Sequence, residues 1–289
     1  MKPSLLALTA LLLAQMAAPH AAEPARHYKL FVLTGQSNSL GTTNGGEDDP
    51  TPGSDPADAH IRFFWHNLAN ASKSLGDSGG EFTTLREQQG GFYKGCATHW
   101  GPEIAFGRRL YQAGVRDFGI IKASRGGGGN SFWSKTAADH HMYDHVVKTV
   151  AAAAANLTKN GHTFEIAGLL YLQGESDSTP EAALAGTRVK ELVDNLRRDL
   201  PHAAAMHTVI CGIAAAGATG DIVRAEHAAV AASTPGFGFF GTTNLRGQLP
   251  DRLHFNKAAK LIVGERFAEA FLRALPLGQR AAKDKTTQP

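Results

Sequence analysis

The sequence predicts a three-layer α/β/α sandwich around a mainly parallel, five-stranded sheet. From Lys29 onward, short β-rich runs alternate with helical patterns at spacings of about thirty residues, the length of a strand with its crossover helix. The strand-like runs are each apolar enough to be buried on both faces. Glycine is abundant at 32 residues and aromatics make up 8%, which suits tight loops around a sheet better than a helical bundle. The 289 residues, 43% hydrophobic and 19% charged, suffice for one domain of about 250 residues with a sizeable core. These proportions exclude a disordered chain, a collagen-like repeat and a disulfide scaffold.

Taken in order, the first element is a leader. Lys2 precedes an apolar run from Leu5 to Ala18 that is too short to span a bilayer but fits the core of a secretory signal. Residues 1–22 are therefore read as a signal peptide cut near Ala21 or Ala22, and the mature protein as exported, periplasmic or secreted. Residues 23–276 form the domain, and 277–289 a polar tail. Strands are expected at Lys29–Leu33, Phe118–Lys122, Ile166–Leu172, His207–Ile213 and Gly236–Phe240, with Ile61–Trp65 as an extra edge strand. Helices are expected at Glu103–Gln112, Met142–Thr158, Glu181–Leu200, Ile222–Ala232 and Asn256–Ala274, several opened by Pro or Asp and closed by Gly. The stretches Asp48–Ser78 and Arg86–Gly95 lack sustained periodicity and read as long loops on the first crossover.

The net charge of +3 comes from 29 basic residues spread without a dense run, so no nucleic-acid partner is expected. Cys96 and Cys211 are too few and too far apart to define a metal site. Export permits them to pair, and two buried thiols are the equal alternative.

In an open parallel sheet, ligands bind beyond the carboxyl ends of the strands. Thr34-Gly35-Gln36-Ser37-Asn38 follows the first strand, Ala123-Ser124-Arg125 and Gly126 to Gly129 the second, and Gln173-Gly174-Glu175-Ser176-Asp177 the third, while Asp251 to His254 follows the fifth. A serine, a glycine turn, an amide and an Asp/His pair are the parts of an acyl-transfer site. The hydroxyl needs an imidazole to take its proton, and the imidazole needs an acceptor on its other nitrogen to fix its tautomer. Backbone N–H groups of glycines, with an amide side chain, can stabilise the oxyanion.

Several plainer readings compete. Asp-x-x-His recurs at Asp199 to His202, but that copy closes a helix before a strand and so belongs to the opposite edge. Gly76-Asp77-Ser78-Gly79-Gly80 copies a chymotrypsin-like nucleophile motif, yet it lies in a polar loop of an α/β chain and reads as a turn. Ser37 and Asn38 also suit a helix N-cap, and Pro102 at a helix start explains Gly101-Pro102-Glu103 without a catalytic role for Glu103. Trp100 and Trp133 suit either a sugar-stacking platform or the core.

The four motifs, in this order, resemble the SGNH-hydrolase superfamily, and more closely its sialate O-acetylesterase and acetylxylan-esterase branch, carbohydrate esterase family 6. The resemblance covers about Lys29 to Leu272. It implies a flavodoxin-like sandwich and removal of acetyl groups from carbohydrate hydroxyls without metal or other cofactor. By the same resemblance Ser37 is the nucleophile, His254 the general base and then acid, and Asp251 the group orienting His254, with Glu175 as the alternative acid. The oxyanion donors are the Ser37 N–H, that of Gly127 or of Gly126, and the Gln173 side chain; Gln36, Asn38 and Trp133 are candidate substrate contacts. The chain departs from the family at Leu172, where His is frequent, at Ser39, where Met is frequent, and in having four consecutive glycines. The expected partner is an acetylated carbohydrate, with no membrane span. The alternatives are a lipase or thioesterase acting on longer acyl chains, or a carbohydrate-binding protein of the same fold without turnover.

Overall fold

The computed structural model of the chain describes residues 24–41, 53–70, 72–91, 97–245 and 251–274. The expected leader, the tail 277–289 and Cys96, hence its pairing with Cys211, lie outside these residues. The elements in chain order are β1 (His27–Gly35), α1 (Ser37–Leu40), β2 (Arg62–Leu68), β3 (Ser74–Asp77), β4 (Thr83–Thr84), β5 (Gln88–Gln89), β6 (Thr98–His99), α2 (Glu103–Gln112), β7 (Phe118–Ser124), α3 (Met142–Lys159), β8 (Thr163–Leu172), α4 (Thr179–Ala182), α5 (Ala185–Asp199), β9 (His207–Cys211), α6 (Ala218–Ser233), β10 (Phe237–Phe240) and α7 (Lys257–Ala274).

The main sheet runs β10-β9-β8-β1-β7-β2-β3, with β4 also on β2. All pairings from β10 through β2 are parallel, whereas β3 and β4 lie antiparallel to β2. The five expected strands form its centre in the doubly wound order second, first, third, fourth, fifth. The sheet is wider than five because the first crossover supplies β2, at the place of the expected extra strand Ile61–Trp65, and also β3 and β4, whose pairing on β2 takes it off the edge.

Side chains alternate between faces along a strand. From β1, Tyr28, Leu30 and Val32 enter one core with α3 and α5, while Phe31 and Leu33 enter the other with α2 and α7. That two-sided burial is why β1 reads as an unbroken apolar run. The expected helix Glu181–Leu200 is instead two: Ser178 and Glu181 form a capping box that starts α4 early, and the helix breaks at Ala183-Leu184 before α5 begins. Among the described residues no helix is long and apolar enough to cross a membrane.

The parallel register brings the site together. Gly35 at the end of β1 lies opposite Ser124 of β7 and Leu172 of β8, so the segments after all three strands emerge at one edge. Gly35 has φ +144°, and a Cβ there would lie 1.8 Å from the Leu172 carbonyl oxygen. Only glycine lets the chain leave the sheet here and turn at once into α1.

Candidate active site

Ser37 opens the single turn of α1, with Gln36 as its N-cap residue. A helix leaves its first N–H groups without internal partners, and Ser37 is the first residue of α1. His254 arrives on the segment before α7, and its Nε2 lies 2.8 Å from Ser37 Oγ. Its Nδ1 lies 2.7 Å from Asp251 Oδ2. The other oxygen, Asp251 Oδ1, accepts the N–H groups of Leu253 at 2.9 Å and His254 at 3.0 Å, so the carboxylate closes the turn that carries the imidazole. Burial pushes the Asp251 carboxyl up, but the bonds from the His254 ring and from these two N–H groups outweigh it and hold it below its ordinary value. An ionised carboxylate at Nδ1 keeps the proton there and leaves Nε2 to accept from the serine.

Of the two acids, Asp251 is the one on the imidazole. Glu175 is engaged elsewhere: its Oε1 accepts from Asn38 Nδ2 at 2.6 Å, and its buried Oε2 has no partner. Burial raises its carboxyl from an ordinary 4.5 to about 7. Asn38 Nδ2 also donates to the Leu253 carbonyl at 3.1 Å, and its Oδ1 accepts the Phe255 N–H at 2.9 Å. Asn38 thus straps the residues on both sides of His254 to the nucleophile helix.

The three expected substrate contacts are corrected by burial. Asn38 and Gln36 are fully buried, and Trp133 is 1% exposed. Gln36 Oε1 accepts the N–H groups of Gly174 at 3.4 Å and Ser176 at 3.2 Å, while its Nε2 donates to Ser176 Oγ at 3.0 Å, fixing the loop after β8. Trp133 packs in the α3–α5 core and donates its indole N–H to Thr34 Oγ1 at 3.0 Å. Trp100 is likewise buried. None of these rings offers a face to a sugar.

The oxyanion donors separate in the same way. The Gly126 N–H donates to the Leu68 carbonyl at 3.1 Å, while its neighbour Gly127 holds φ +63°. Gln173 reaches the edge, but its Nε2 already donates to the Gly128 carbonyl at 3.3 Å and to Asp177 Oδ1 at 3.1 Å. An amide nitrogen has two hydrogens, so Gln173 serves as a brace in this arrangement rather than an oxyanion donor. Asp177 also accepts from Asn130 through its N–H at 2.8 Å and its Nδ2 at 2.7 Å, which ties the end of the glycine turn to the loop after β8. Burial raises Asp177 to about 6.

Of the rejected motifs, the Asp199–His202 copy lies at the opposite edge as expected, whereas Gly76 and Asp77 end strand β3 and only the residues after them turn. The Asp77 carboxylate accepts the Gly79 N–H in its own exposed turn, and His202 gives its carbonyl to the Ile166 N–H near the start of β8. Sequence reasoning missed a buried ion pair. Lys122 Nζ donates to Glu103 Oε1 at 2.9 Å, Gln88 Oε1 at 2.7 Å and the carbonyl of Leu40, the last residue of α1, at 3.0 Å. Both charged side chains are wholly buried. The available signal was a lysine inside the apolar run of β7. Beside the triad lies a hollow of about 400 Å³, lined by residues including Gly174, Glu175, Ala215, Gly217, Asp251 and Leu253. Among the described residues no cluster of His, Cys, Asp or Glu could hold a metal ion.

Known proteins resemble this chain in sequence family and fold. The model of a family described as carbohydrate esterase, sialic acid-specific acetylesterase, matches residues 27–273. No curated protein matches the chain. Among solved structures, a protein from Arabidopsis thaliana superposes with a TM-score of 0.62 at 22% identity, over 85% of this chain and 98% of that one. NanS gives 0.56 at 18% identity, over 86% and 97%. A carbohydrate acetylesterase from Xanthomonas citri gives 0.61 at 16% identity, over 87% of this chain and 57% of the other. At these identities the structural likeness concerns the fold.

Proposed function

Since the chain belongs to the carbohydrate esterase family of sialic acid-specific acetylesterases, we propose that it removes acetyl groups from sugar hydroxyls through an acyl-enzyme on Ser37, and that its leader exports it. The observation that carries this reading is the unbroken hydrogen-bond line from Ser37 Oγ through His254 to Asp251. His254 Nε2 takes the hydroxyl proton as Ser37 Oγ attacks the acetyl carbonyl. The negative charge on the carbonyl oxygen meets the N–H groups of Ser37 and Gly127, donors fixed before the reaction begins. His254 then gives the proton to the departing sugar oxygen. Water, activated by the same nitrogen, attacks the acetyl group on Ser37, and the serine is restored. Asp251 keeps the imidazole in the tautomer that both half-reactions need.

The experiment compares the mature protein with its Ser37→Ala variant on 4-nitrophenyl acetate, O-acetylated sialic acid and acetylated xylan. Acetate release by the wild type that falls by at least 10³-fold in the variant, on the order expected for loss of a nucleophile, supports the mechanism. Wild-type rates in Ser37→Ala refute it. The natural substrate cleaved faster separates the sialate from the xylan type.

A further inference from the structure

The nucleophile sits on a helix that cannot hold its own shape. α1 is one turn of four residues, with Ser37 first and Leu40 last. A single turn carries the cost of helix nucleation with almost no propagation to offset it, so its geometry is imposed by its surroundings. Its internal bonds run from the Leu40 N–H to the Gln36 carbonyl at 2.9 Å and from the Gly41 N–H to the Ser37 carbonyl at 2.8 Å. The Leu40 carbonyl, at the end of the turn, needs a donor from outside the helix. Lys122 of β7 supplies it, with Nζ 3.0 Å from that oxygen, 2.7 Å from Gln88 Oε1 and 2.9 Å from Glu103 Oε1. A carbonyl, an amide oxygen and a carboxylate all accept, and three donated hydrogens require the ammonium, since a neutral amine has two. The Gln88 amide is fixed in this sense by its nitrogen, which donates to the Arg86 carbonyl at 2.9 Å and to Glu103 Oε1 at 3.1 Å. Two positions further along β7, and so on the same face, Ser124 Oγ lies 2.9 Å from Ser39 Oγ. One face of β7 thus carries both the middle and the end of the nucleophile turn. A wholly buried ion pair adds little stability over an apolar replacement, so the Lys122–Glu103 pair beneath this turn has another reason to be there.

We infer that Lys122 is a positioning residue for the reaction of Ser37: by holding the Leu40 carbonyl it fixes the end of α1, and with it the distance at which Ser37 Oγ meets His254 Nε2. The inference rests on the esterase reading above and adds the residue that sets its nucleophile in place. Lys122 is 0% exposed and so acts only through the turn. The path is short, because Leu40 bonds back to Gln36, the residue before Ser37, and Gly41 bonds back to Ser37 itself. The far side of the turn is closed by backbone: a Cβ on Gly41, at φ +92°, would stand 1.8 Å from the Trp100 carbonyl oxygen. The same segment leads into Glu103, whose Oε1 accepts the Gly101 N–H at 2.8 Å. Without Nζ, the Leu40 carbonyl is buried with no donor, and the turn relaxes away from the strand that carries it. Proton transfer from Ser37 to His254 tolerates little of that movement, since a misplacement of about 1 Å costs on the order of 10²-fold in rate.

The test compares the mature protein with Lys122→Met, with Lys122→Met/Glu103→Met, which puts apolar chains in place of the pair, and with Leu110→Ala. Leu110 is buried in the core between α2 and α7 and takes no part in these bonds, so its truncation lowers stability without touching the turn. Each protein is assayed at a temperature at which circular dichroism shows it folded. Two rates are read. One is turnover of 4-nitrophenyl acetate, resolved into kcat and KM. The other is covalent labelling of Ser37 by a fluorophosphonate, in which Oγ attacks phosphorus, fluoride leaves and His254 takes the hydroxyl proton. Both Lys122 variants are expected to lose about 10- to 100-fold in kcat and in labelling rate, with KM within about threefold of wild type. The double variant melts closer to wild type than the single one and is no faster, whereas Leu110→Ala melts lower and keeps its kcat. A double variant that labels and turns over at wild-type rates overturns the inference. So does a kcat in Leu110→Ala that falls as far as in the Lys122 variants, because the pair is then merely structural. If Lys122→Met does not fold, the double variant decides. Ester cleavage indifferent to Lys122 breaks this inference alone; a wild type that cleaves no ester, yet labels fast at Ser37 and slowly in the double variant, breaks the esterase reading alone.

Discussion

Replacing Glu175 by Gln tests the electrostatics behind the His254 strap. In the folded protein, burial raises this carboxyl from an ordinary 4.5 to about 7. Between those two values the folded chain holds a proton that the unfolded chain has released, so stability falls as pH rises, and the loss is complete above about pH 7. The difference corresponds to about 3 kcal/mol. Glutamine keeps the oxygen that accepts from Asn38 Nδ2 but does not titrate. Its new NH₂ falls where Oε2 has no partner, and an unsatisfied buried donor costs about 1–3 kcal/mol at every pH. That cost shifts the whole curve and leaves its slope alone. Urea unfolding of both proteins at intervals from pH 4.5 to 8 separates the two effects. The variant is expected to gain about 3 kcal/mol on the wild type across that range, whatever the offset at its acid end. Asp177, raised to about 6, titrates in both proteins and cancels to first order in the difference. Two parallel stability curves would refute the reasoning.

Asp251→Asn should lower kcat/KM for 4-nitrophenyl acetate by on the order of 10³- to 10⁴-fold, because an amide at Nδ1 favours the wrong imidazole tautomer. The Asp251 side chain is 40% exposed, so melting should move little; a rate near wild type would shift the acid role to Glu175. Lys122→Met strands the buried Glu103 carboxylate and should cost about 3–5 kcal/mol in urea unfolding, whereas the Lys122→Met/Glu103→Met double variant recovers much of it. Equal losses in the single and double variants would show that packing, not charge pairing, holds this network. Gly35→Ala places a methyl 1.8 Å from the Leu172 carbonyl and should abolish soluble folded protein, as judged by circular dichroism, with an unchanged melting temperature as the contrary result.

The parts of the fold that were legible in the sequence are those fixed by burial on both sides. A strand such as β1 needs an unbroken apolar run, and Leu30 to Leu33 supply one. β2 is legible as the extra strand Ile61–Trp65, whereas β3 and β4 are not, because short antiparallel pairings depend on which partner is nearby, which local composition does not encode. The site divides along the same line. Residue types at the strand ends brought Ser37, Asp251 and His254 to one edge, although 217 positions separate the serine from its imidazole. What the types could not reveal is which polar groups are already engaged. Nothing local in the sequence shows Gln36, Asn38 and Trp133 to be engaged, yet their partners lie about a hundred residues away or more: Ser176 for Gln36, Glu175 and Leu253 for Asn38, and Thr34 for Trp133. Arg125 is the reverse case, an ordinary arginine in the sequence whose two nitrogens remain unmatched in the fold. The hydrogen-bond accounts therefore narrow the site more than the motifs do. Once the bonds of Gly126, Gln173 and Asn38 are counted, the donors left at this edge among the described residues include the Ser37 and Gly127 N–H groups and the Arg125 guanidinium. The first two suit the oxygen of an attacked acetyl carbonyl.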